Sequence, residues 1–366
     1  MFQDLLTPNV LIDIDRMEKN LAGMQAACDA HQTELRPHIK THKMIEVARR
    51  QLAGGAKGLT VAKIGEAEAL LPAFDKSTFR SVFVAHSIVD PNNAPRLKNL
   101  HDQLDELVLA TTSAGHAEAL EKVLDKAGLT LDVIMAADTG LHREGVRNLE
   151  EAKNAAQTIA KLPHLKLRGF YTHEGHTYGV PPEESDAAVQ QVHDDILAVR
   201  DAVQEFADQR LSVWPGSSVT AARMAALPDV DAVRPGSYVF GDLALAQRTK
   251  VMPWDNAALS VLATVIDRPE KGLALIDAGS KVFSSDKTPA GVYASSRDGR
   301  DINVMAVNEE HGYLRGEDVD DLKIGDRLRF IPAHTCTVVN LTDYVVMVKG
   351  DEVVDNWKVD ARGKVR

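Results

Sequence analysis

Residues 107–136 read LVLATTSAGHAEALEKVLDKAGLTLDVIMA: an apolar run at 107–110, a helical pattern at 114–127 and a second apolar run at 131–136. Short apolar runs on either side of a 3.6-period segment form a strand–helix–strand unit. The pattern repeats outward in both directions. Upstream, runs at 35–39, 58–62 and 81–85 precede helices at 44–53, 64–71 and 95–101. Downstream, 131–136 precedes a helix at 149–162, and 167–171 precedes a long one at 184–209, with short apolar pieces at 211–214 and 232–233. Roughly eight such units, most about 25–35 residues apart, predict a parallel (β/α)8 TIM barrel. A doubly wound open sheet gives the same alternation, but it normally carries Gly-x-Gly-x-x-Gly after its first strand. That fingerprint is missing, and so is a P-loop.

From about Asn256 the texture changes. Apolar stretches at 259–266, 273–276, 302–308, 328–331 and 337–348 alternate with Gly, Asp and Pro turns. They predict a C-terminal all-β domain without an amphipathic helix. The expected division is a strand at 1–15 joining the β domain, a barrel at 16–248 and the β domain at 249–366. Cys28 continues the helical pattern of Met17, Leu21, Met24 and Ala27, so it is expected in a core.

A chain of 366 residues with 44% hydrophobic content can bury a barrel and a smaller domain. Its net charge of −11 argues against nucleic acid or an anionic membrane surface as partner and toward a small-molecule enzyme. Cys28 and Cys336 are the only cysteines, too few for a secreted disulfide scaffold. The first residues lack the basic and apolar regions of a signal peptide, and no stretch is apolar enough to span a membrane. The expected setting is the cytoplasm.

Barrel chemistry sits at strand C-termini. At 36–42 the chain reads Arg-Pro-His-Ile-Lys-Thr-His. Strand periodicity would put Arg36, His38 and Lys40 on one face. Like charges and drying lower an ammonium's pKa and free the amine to attack a carbonyl, which suits a Schiff-base lysine. The plain alternative is a solvated basic stretch. Two late loops, Pro215-Gly216-Ser217-Ser218 and Arg234-Pro235-Gly236-Ser237-Tyr238, offer backbone N–H groups and hydroxyls for a phosphate. Singly each reads as a turn; with Lys40 they fit a phosphorylated carbonyl cofactor. His173-Glu174-Gly175-His176 is not a zinc helix, because its histidines are three apart and follow a strand. His176 reads as a neutral active-site base or orienter. His334 and Cys336, two apart on an expected strand, would share a face, and imidazole plus thiolate suits zinc. Two protein ligands leave positions for water and substrate. The alternative is a buried core pair.

With these residues in hand, the chain resembles the D-threonine aldolase/D-serine dehydratase family, alanine-racemase-type (fold type III) pyridoxal-phosphate enzymes. In the barrel the marks are Thr7-Pro8, the run from Arg36 to Lys43, Asp138-Thr139-Gly140 with Arg143-Glu144-Gly145, and the run from Arg234 to Phe240. In the second domain they are the run from Asp277 to Lys281, Glu309-Glu310-His311-Gly312 and His334-Thr335-Cys336. The resemblance implies that Lys40, rather than Lys43, attaches pyridoxal 5'-phosphate and serves as the base at Cα. It implies Arg143 at the cofactor's phenolic oxygen and Tyr171 at its pyridine nitrogen. Gly216, Ser217 and Ser218, with Gly236, Ser237 and Tyr238, would cradle the phosphate. His334 and Cys336 would bind a divalent ion, zinc in preference to manganese or magnesium.

In such enzymes the metal holds the β-hydroxyl of a D-3-hydroxy-α-amino acid. With His176 as hydroxyl base, retro-aldol cleavage to glycine and an aldehyde is the preferred expectation. Dehydration to a 2-keto acid and ammonia, which a cysteine-bound zinc suits, is the alternative. A racemase has no use for the metal, and cofactor-carrier proteins of this superfamily lack the β domain. The resemblance also implies a homodimer. No role attaches to Glu174, His142 or Glu310.

Overall fold

The computed structural model describes residues 2–75 and 79–366. By contacts the chain forms two compact units: Gly23–Lys40, Ile45–Gly236 and Lys364–Arg366 make one, and Met1–Ala22, Thr41–Met44 and Ser237–Gly363 the other. The chain opens with β1 (Asn9–Asp13) and α1 (Ile14–Asp29).

The first unit is the barrel. Its first half is β2 (Glu34–Leu35), α2 (Ile45–Ala53), β3 (Leu59–Val61), α3 (Ile64–Leu70), β4 (Ser81–Val84), α4 (Ala94–His101), β5 (Glu106–Thr111) and α5 (Ala114–Ala127). The second half is β6 (Leu131–Ala136), α6 (Leu149–Ile159), β7 (Leu165–Tyr171), α7 (Ser185–Val203), β8 (Ser212–Trp214), α8 (Ala221–Met224) and β9 (Ala232–Val233). Strands β3 to β8 form one six-stranded parallel sheet, and β2 pairs with β9. Backbone bonds join the two. Thr60 N–H donates to Pro37 O on one side, and Asp231 N–H to Val213 O on the other, closing eight parallel strands. Pro37, with no N–H to give, is the reason β2 is so short.

Side chains alternate across each strand. Phe83, Val108, Ala110, Ile134, Ala136, Tyr171 and Trp214 pack together inside the barrel, while Val82, Val84, Leu107, Leu109, Val133 and Met135 pack with the helices. The helix ends follow local chemistry. Ser113 accepts from His116 N–H to start α5, and Gly128, at φ +64°, ends it. Cys28 is fully buried beside Leu35 and Met224, in the core as expected.

The second unit is a β domain of β10 (Leu259–Glu270), β11 (Leu273–Ile276), α9 (Ser280–Phe283), β12 (Ala294–Ser296), β13 (Asn303–Val307), β14 (Gly312–Arg315), β15 (Arg327–Pro332), α10 (Thr335–Leu341), β16 (Tyr344–Lys349) and β17 (Glu352–Lys358). The strand order β11-β14-β13-β12-β15-β10, together with a direct β10–β11 pairing, closes a six-stranded ring. β1 pairs antiparallel with β10 and parallel with β16. The segment Ser237 to Arg248, expected with the barrel, contacts this unit instead: Phe240 O accepts from Ala258 N–H, and Leu243 packs on Ala257 and Ile331.

Two local expectations are corrected here. Residues 337–348 are not one strand, because Thr335–Leu341 is helical and only then does β16 begin. The β domain is therefore interrupted by α10 as well as by the short α9. Four apolar positions, Val338, Val339, Leu341 and Val345, mimic a strand run, but the first two are buried together with Thr335, three and four positions before them, which is helical spacing.

Candidate active site

At the barrel's strand ends, Lys40 is half-buried on a single 3-10 turn, Ile39–Thr41, after an isolated bridge between His38 and Thr60. It is not on a strand. Arg36 does not crowd it. The Arg36 guanidinium turns to the strand N-termini, where it donates to Glu34, Ser81 and Glu106 and lies 4.4 Å from the Trp214 ring centroid. The expected cationic face of Arg36, His38 and Lys40 is thus broken by the turn and neutralised by carboxylates.

Tyr171 ends β7. Its ring meets Phe83 edge-on at 5.3 Å, and the Arg234 guanidinium lies 4.9 Å from its centroid. The phenol oxygen is buried and has no hydrogen-bond partner among the described residues. Burial, then Glu144, push the phenol's pKa up, against Arg234 and Arg143, so the hydroxyl keeps its proton. Arg234 is itself buried, donating to Trp214 O at 3.0 Å and Thr172 O at 2.7 Å. Burial pulls its pKa down to about 10, with Glu174 and Tyr171 opposing.

The two residues after Thr172 grip one glycine. His173 Nδ1–H donates to Gly216 O at 2.8 Å, and both Glu174 oxygens accept from Gly216 N–H, at 3.0 and 3.3 Å. Burial, then Lys40, hold the His173 pKa down to about 3, so its imidazole is neutral. Burial pushes Glu174 up to about 7 against its backbone bonds and Arg234. A Cβ on Gly216 would sit 2.7 Å from Arg234 Nη2, so only glycine fits. The Gly216 N–H is consequently taken, and Gly236 N–H donates to Ser218 Oγ at 3.1 Å. In the same loop Ser217 Oγ accepts from Val219 N–H. Of the two expected phosphate loops, neither the Gly216 nor the Gly236 amide points outward. Ser237 and Tyr238 belong to the other unit and are buried on a 3-10 turn, Ser237–Val239.

Across the mouth, Asp138 accepts from Gly140 N–H and His142 N–H and so shapes the loop that carries Arg143. Arg143 is exposed, paired with Glu144, and lines a small hollow with Tyr171 and His173. His176 lies against Gly140 with its Nδ1 buried and unpartnered. Burial lowers its pKa, and the titratable groups that act on it are Asp138, His142 and Asp195 rather than Lys40.

In the β unit, His334 is the N-cap of α10 and Cys336 lies in its first turn. The strand reasoning that paired them is corrected, since a turn rather than a shared strand face makes them neighbours. His334 Nδ1–H donates to Asp286 Oδ2 at 2.7 Å, and Thr337 Oγ1–H to the same oxygen at 3.2 Å. Burial disfavours the imidazolium, but the hydrogen-bonded Cys336 sulfur, with Asp242 and Asp286, outweighs it and pushes the pKa up to about 10. An imidazole and a cysteine sulfur in hydrogen-bond contact are a donor set that suits a zinc-like cation. No three His, Cys, Asp or Glu side chains converge on a cation position among the described residues.

His173 and Arg234 are functional candidates to which sequence reasoning gave no role, and for Glu174 it left open whether the residue touches substrate or supports its neighbours. The strand-end rule reaches His173 and Glu174 directly, since they follow β7 by two and three residues. Asp286, far from His334 in the chain, had no local signal.

An orphaned phenol in one hollow with a neutral imidazole, and a lysine close enough to act on that imidazole, fits a ring cofactor bearing a nitrogen acceptor and a carbonyl. Comparison with known proteins agrees. Residues 12–244 match the alanine racemase N-terminal domain and 258–348 a putative serine dehydratase domain. The chain is 29% identical to the D-threonine aldolase of Arthrobacter sp over 98% of its length and 93% of that protein. It is 31% identical to the D-threo-3-hydroxyaspartate dehydratase of Delftia sp. strain HT23 over 96% of both. That dehydratase has also been solved (TM-score 0.85, 97% of each chain), including variants in which a histidine or the cysteine two positions later is alanine, the latter metal-free. The D-threonine aldolase of Filomicrobium marinum superposes with a TM-score of 0.88 at 26% identity, over 100% of this chain and 98% of that one. The chain therefore belongs to the D-threonine aldolase/D-serine dehydratase family of alanine-racemase-type pyridoxal-phosphate enzymes.

Proposed function

We propose that this chain is a pyridoxal-phosphate- and divalent-metal-dependent lyase that dehydrates a D-3-hydroxy-α-amino acid to a 2-keto acid and ammonia. The observation that carries this reading is the His334–Cys336 pair, hydrogen-bonded to each other with Asp286 behind the histidine. Its spacing is that of the histidine and cysteine replaced in the dehydratase variants, of which the cysteine variant is metal-free.

When bound, the cofactor supplies an electron sink for charge developing at Cα. The cation, when bound, supplies a Lewis acid for the substrate hydroxyl, and the thiolate favours zinc over manganese or magnesium. Lys40 Nζ would attach the cofactor and would hold the proton taken from Cα. Tyr171, whose phenol keeps its proton, would donate to the ring nitrogen and leave it unprotonated. Arg143 would face the phenolic oxygen. Neutral His173 excludes a second positive charge beside Lys40. Ser217, Ser218, Ser237 and Tyr238 would hold the phosphate, with Gly216 kept in place by Glu174 and Gly236 by Ser218. Asp286 fixes the His334 tautomer, leaving Nε2 for the cation.

Retro-aldol cleavage is the second reading. It is favoured by the neutral His176 imidazole with an unpartnered Nδ1 and by the similarity to aldolases. The reading further includes a cytoplasmic homodimer, which sedimentation of the purified protein tests. No helix among the described residues is long and apolar enough to cross a membrane.

The deciding experiment incubates the protein with pyridoxal phosphate, zinc or manganese, and D-threonine or 3-hydroxy-D-aspartate, and reads products by proton NMR. A 2-keto acid with ammonia is expected. Glycine with an aldehyde selects the second reading, and unchanged substrates with both metals overturn the lyase assignment for them.

A further inference from the structure

Thr41 follows Lys40 in the chain, and its hydroxyl is fully buried in the β unit. A buried hydroxyl needs a partner. The one it finds is sulfur: Thr41 Oγ1 lies 3.0 Å from Cys336 Sγ. The thiol form of Cys336 would be a weak donor, whereas the thiolate has no proton and accepts. A cysteine sulfur that holds a cation is a thiolate, which only accepts, so with the cation bound Thr41 is the donor. Around it the backbone is pinned: Lys43 Nζ donates to Asn340 Oδ1 at 2.8 Å, one turn beyond Cys336 on α10, and Ala361 N–H donates to Lys43 O. Lys43 has a φ of +54°, a conformation unusual for lysine that the two contacts hold. Thr41 is thus presented to Cys336 by a fixed segment.

We propose that Thr41 is a positioning residue of the cation site: its hydroxyl, 3.0 Å from the Cys336 sulfur, orients that sulfur for the metal and so sets metal affinity. This rests on the reading of His334 and Cys336 as the metal pair. Outer partners of metal ligands change affinity by about 10–100-fold when removed. Thr41→Val keeps the shape and deletes only the donor. Thr41→Ser keeps the donor and deletes a methyl.

The test uses the full-length holoenzyme. Zinc affinity is measured by competition with a chromophoric chelator, and cadmium-113 NMR reports the electron density of the bound sulfur. Thr41→Val is expected to bind zinc about tenfold more weakly and to move the cadmium resonance, and Thr41→Ser to restore both. A Thr41→Val protein matching the parent in affinity and resonance overturns the proposal. So does weaker binding with an unmoved resonance, because Thr41 would then act through packing alone. Cys336→Ala separates the underlying reading. If it binds zinc as the parent does, Cys336 is no ligand, and the metal assignment falls together with the role of Thr41.

Discussion

Tyr171→Phe should change the apoprotein and the holoenzyme in opposite directions. The substitution removes one oxygen that is buried and unpartnered among the described residues, while the edge contact to Phe83 at 5.3 Å and the Arg234 stacking at 4.9 Å survive. A buried unsatisfied polar group costs about 1–3 kcal/mol. Without cofactor, phenylalanine should therefore stabilise the barrel by about that amount, or about 2–4 °C in Tm per kcal/mol for a domain of this size. With cofactor bound, the same oxygen meets the ring nitrogen. Its loss leaves that acceptor unpaired, again about 1–3 kcal/mol, or roughly 5- to 150-fold in affinity. The assay is a pair of melting curves, with and without pyridoxal phosphate, plus equilibrium dialysis of the cofactor. An apoprotein Tm that is unchanged or lower, together with unchanged cofactor affinity, refutes the reasoning, because the phenol would then not be reserved for a ligand.

Glu174 gives a pH signature. Its folded pKa of about 7 lies above the ordinary carboxylate value of 4.5, so between those values the native state holds a proton the unfolded state has released. Stability is therefore lost as pH rises from about 4.5 to about 7, by up to about 3 kcal/mol at 1.36 kcal/mol per unit. Glu174→Gln keeps an acceptor for Gly216 N–H, so it should match the parent near pH 5 and exceed it at pH 8; parallel melting-temperature profiles would show that the carboxyl does not titrate there. Gly216→Ala drives a Cβ to 2.7 Å from Arg234 Nη2, and dialysis should show pyridoxal phosphate bound at least tenfold more weakly in any folded fraction. Native thiol titration should find one accessible cysteine, the half-buried Cys336, and zinc should protect it. Cys28, fully buried with its thiol pushed up to about 12, should react only after unfolding.

Much of the fold was legible because its code is local. α5 occupies the expected 114–127 and β6 the expected 131–136, and the remaining barrel elements fall within a few residues of their patterns. Where the reading failed, a local pattern had two solutions. Val338, Val339 and Val345 are β-branched and read as a strand, yet the chain spends 335–341 on a helix. His334 and Cys336 were paired for the wrong geometric reason, since a helix N-terminus also brings positions two apart within reach. In the same way, period-two spacing suggested a cationic face for Lys40, and the 3-10 turn after Pro37 and His38 removed it.

What the sequence by itself determined is the order and kind of the elements, the family, and the residue types at the strand ends. All of these follow from periodicity and from short motifs whose residues are neighbours in the chain. Which groups share a proton or a partner was decided only by tertiary structure. Glu34, Ser81 and Glu106 neutralise Arg36; His173 and Glu174 clamp Gly216; Asp286 backs His334; Thr41 reaches Cys336 across 295 positions of sequence. Burial and hydrogen bonding act through space, and no spacing along the chain encodes a contact made by folding distant segments together.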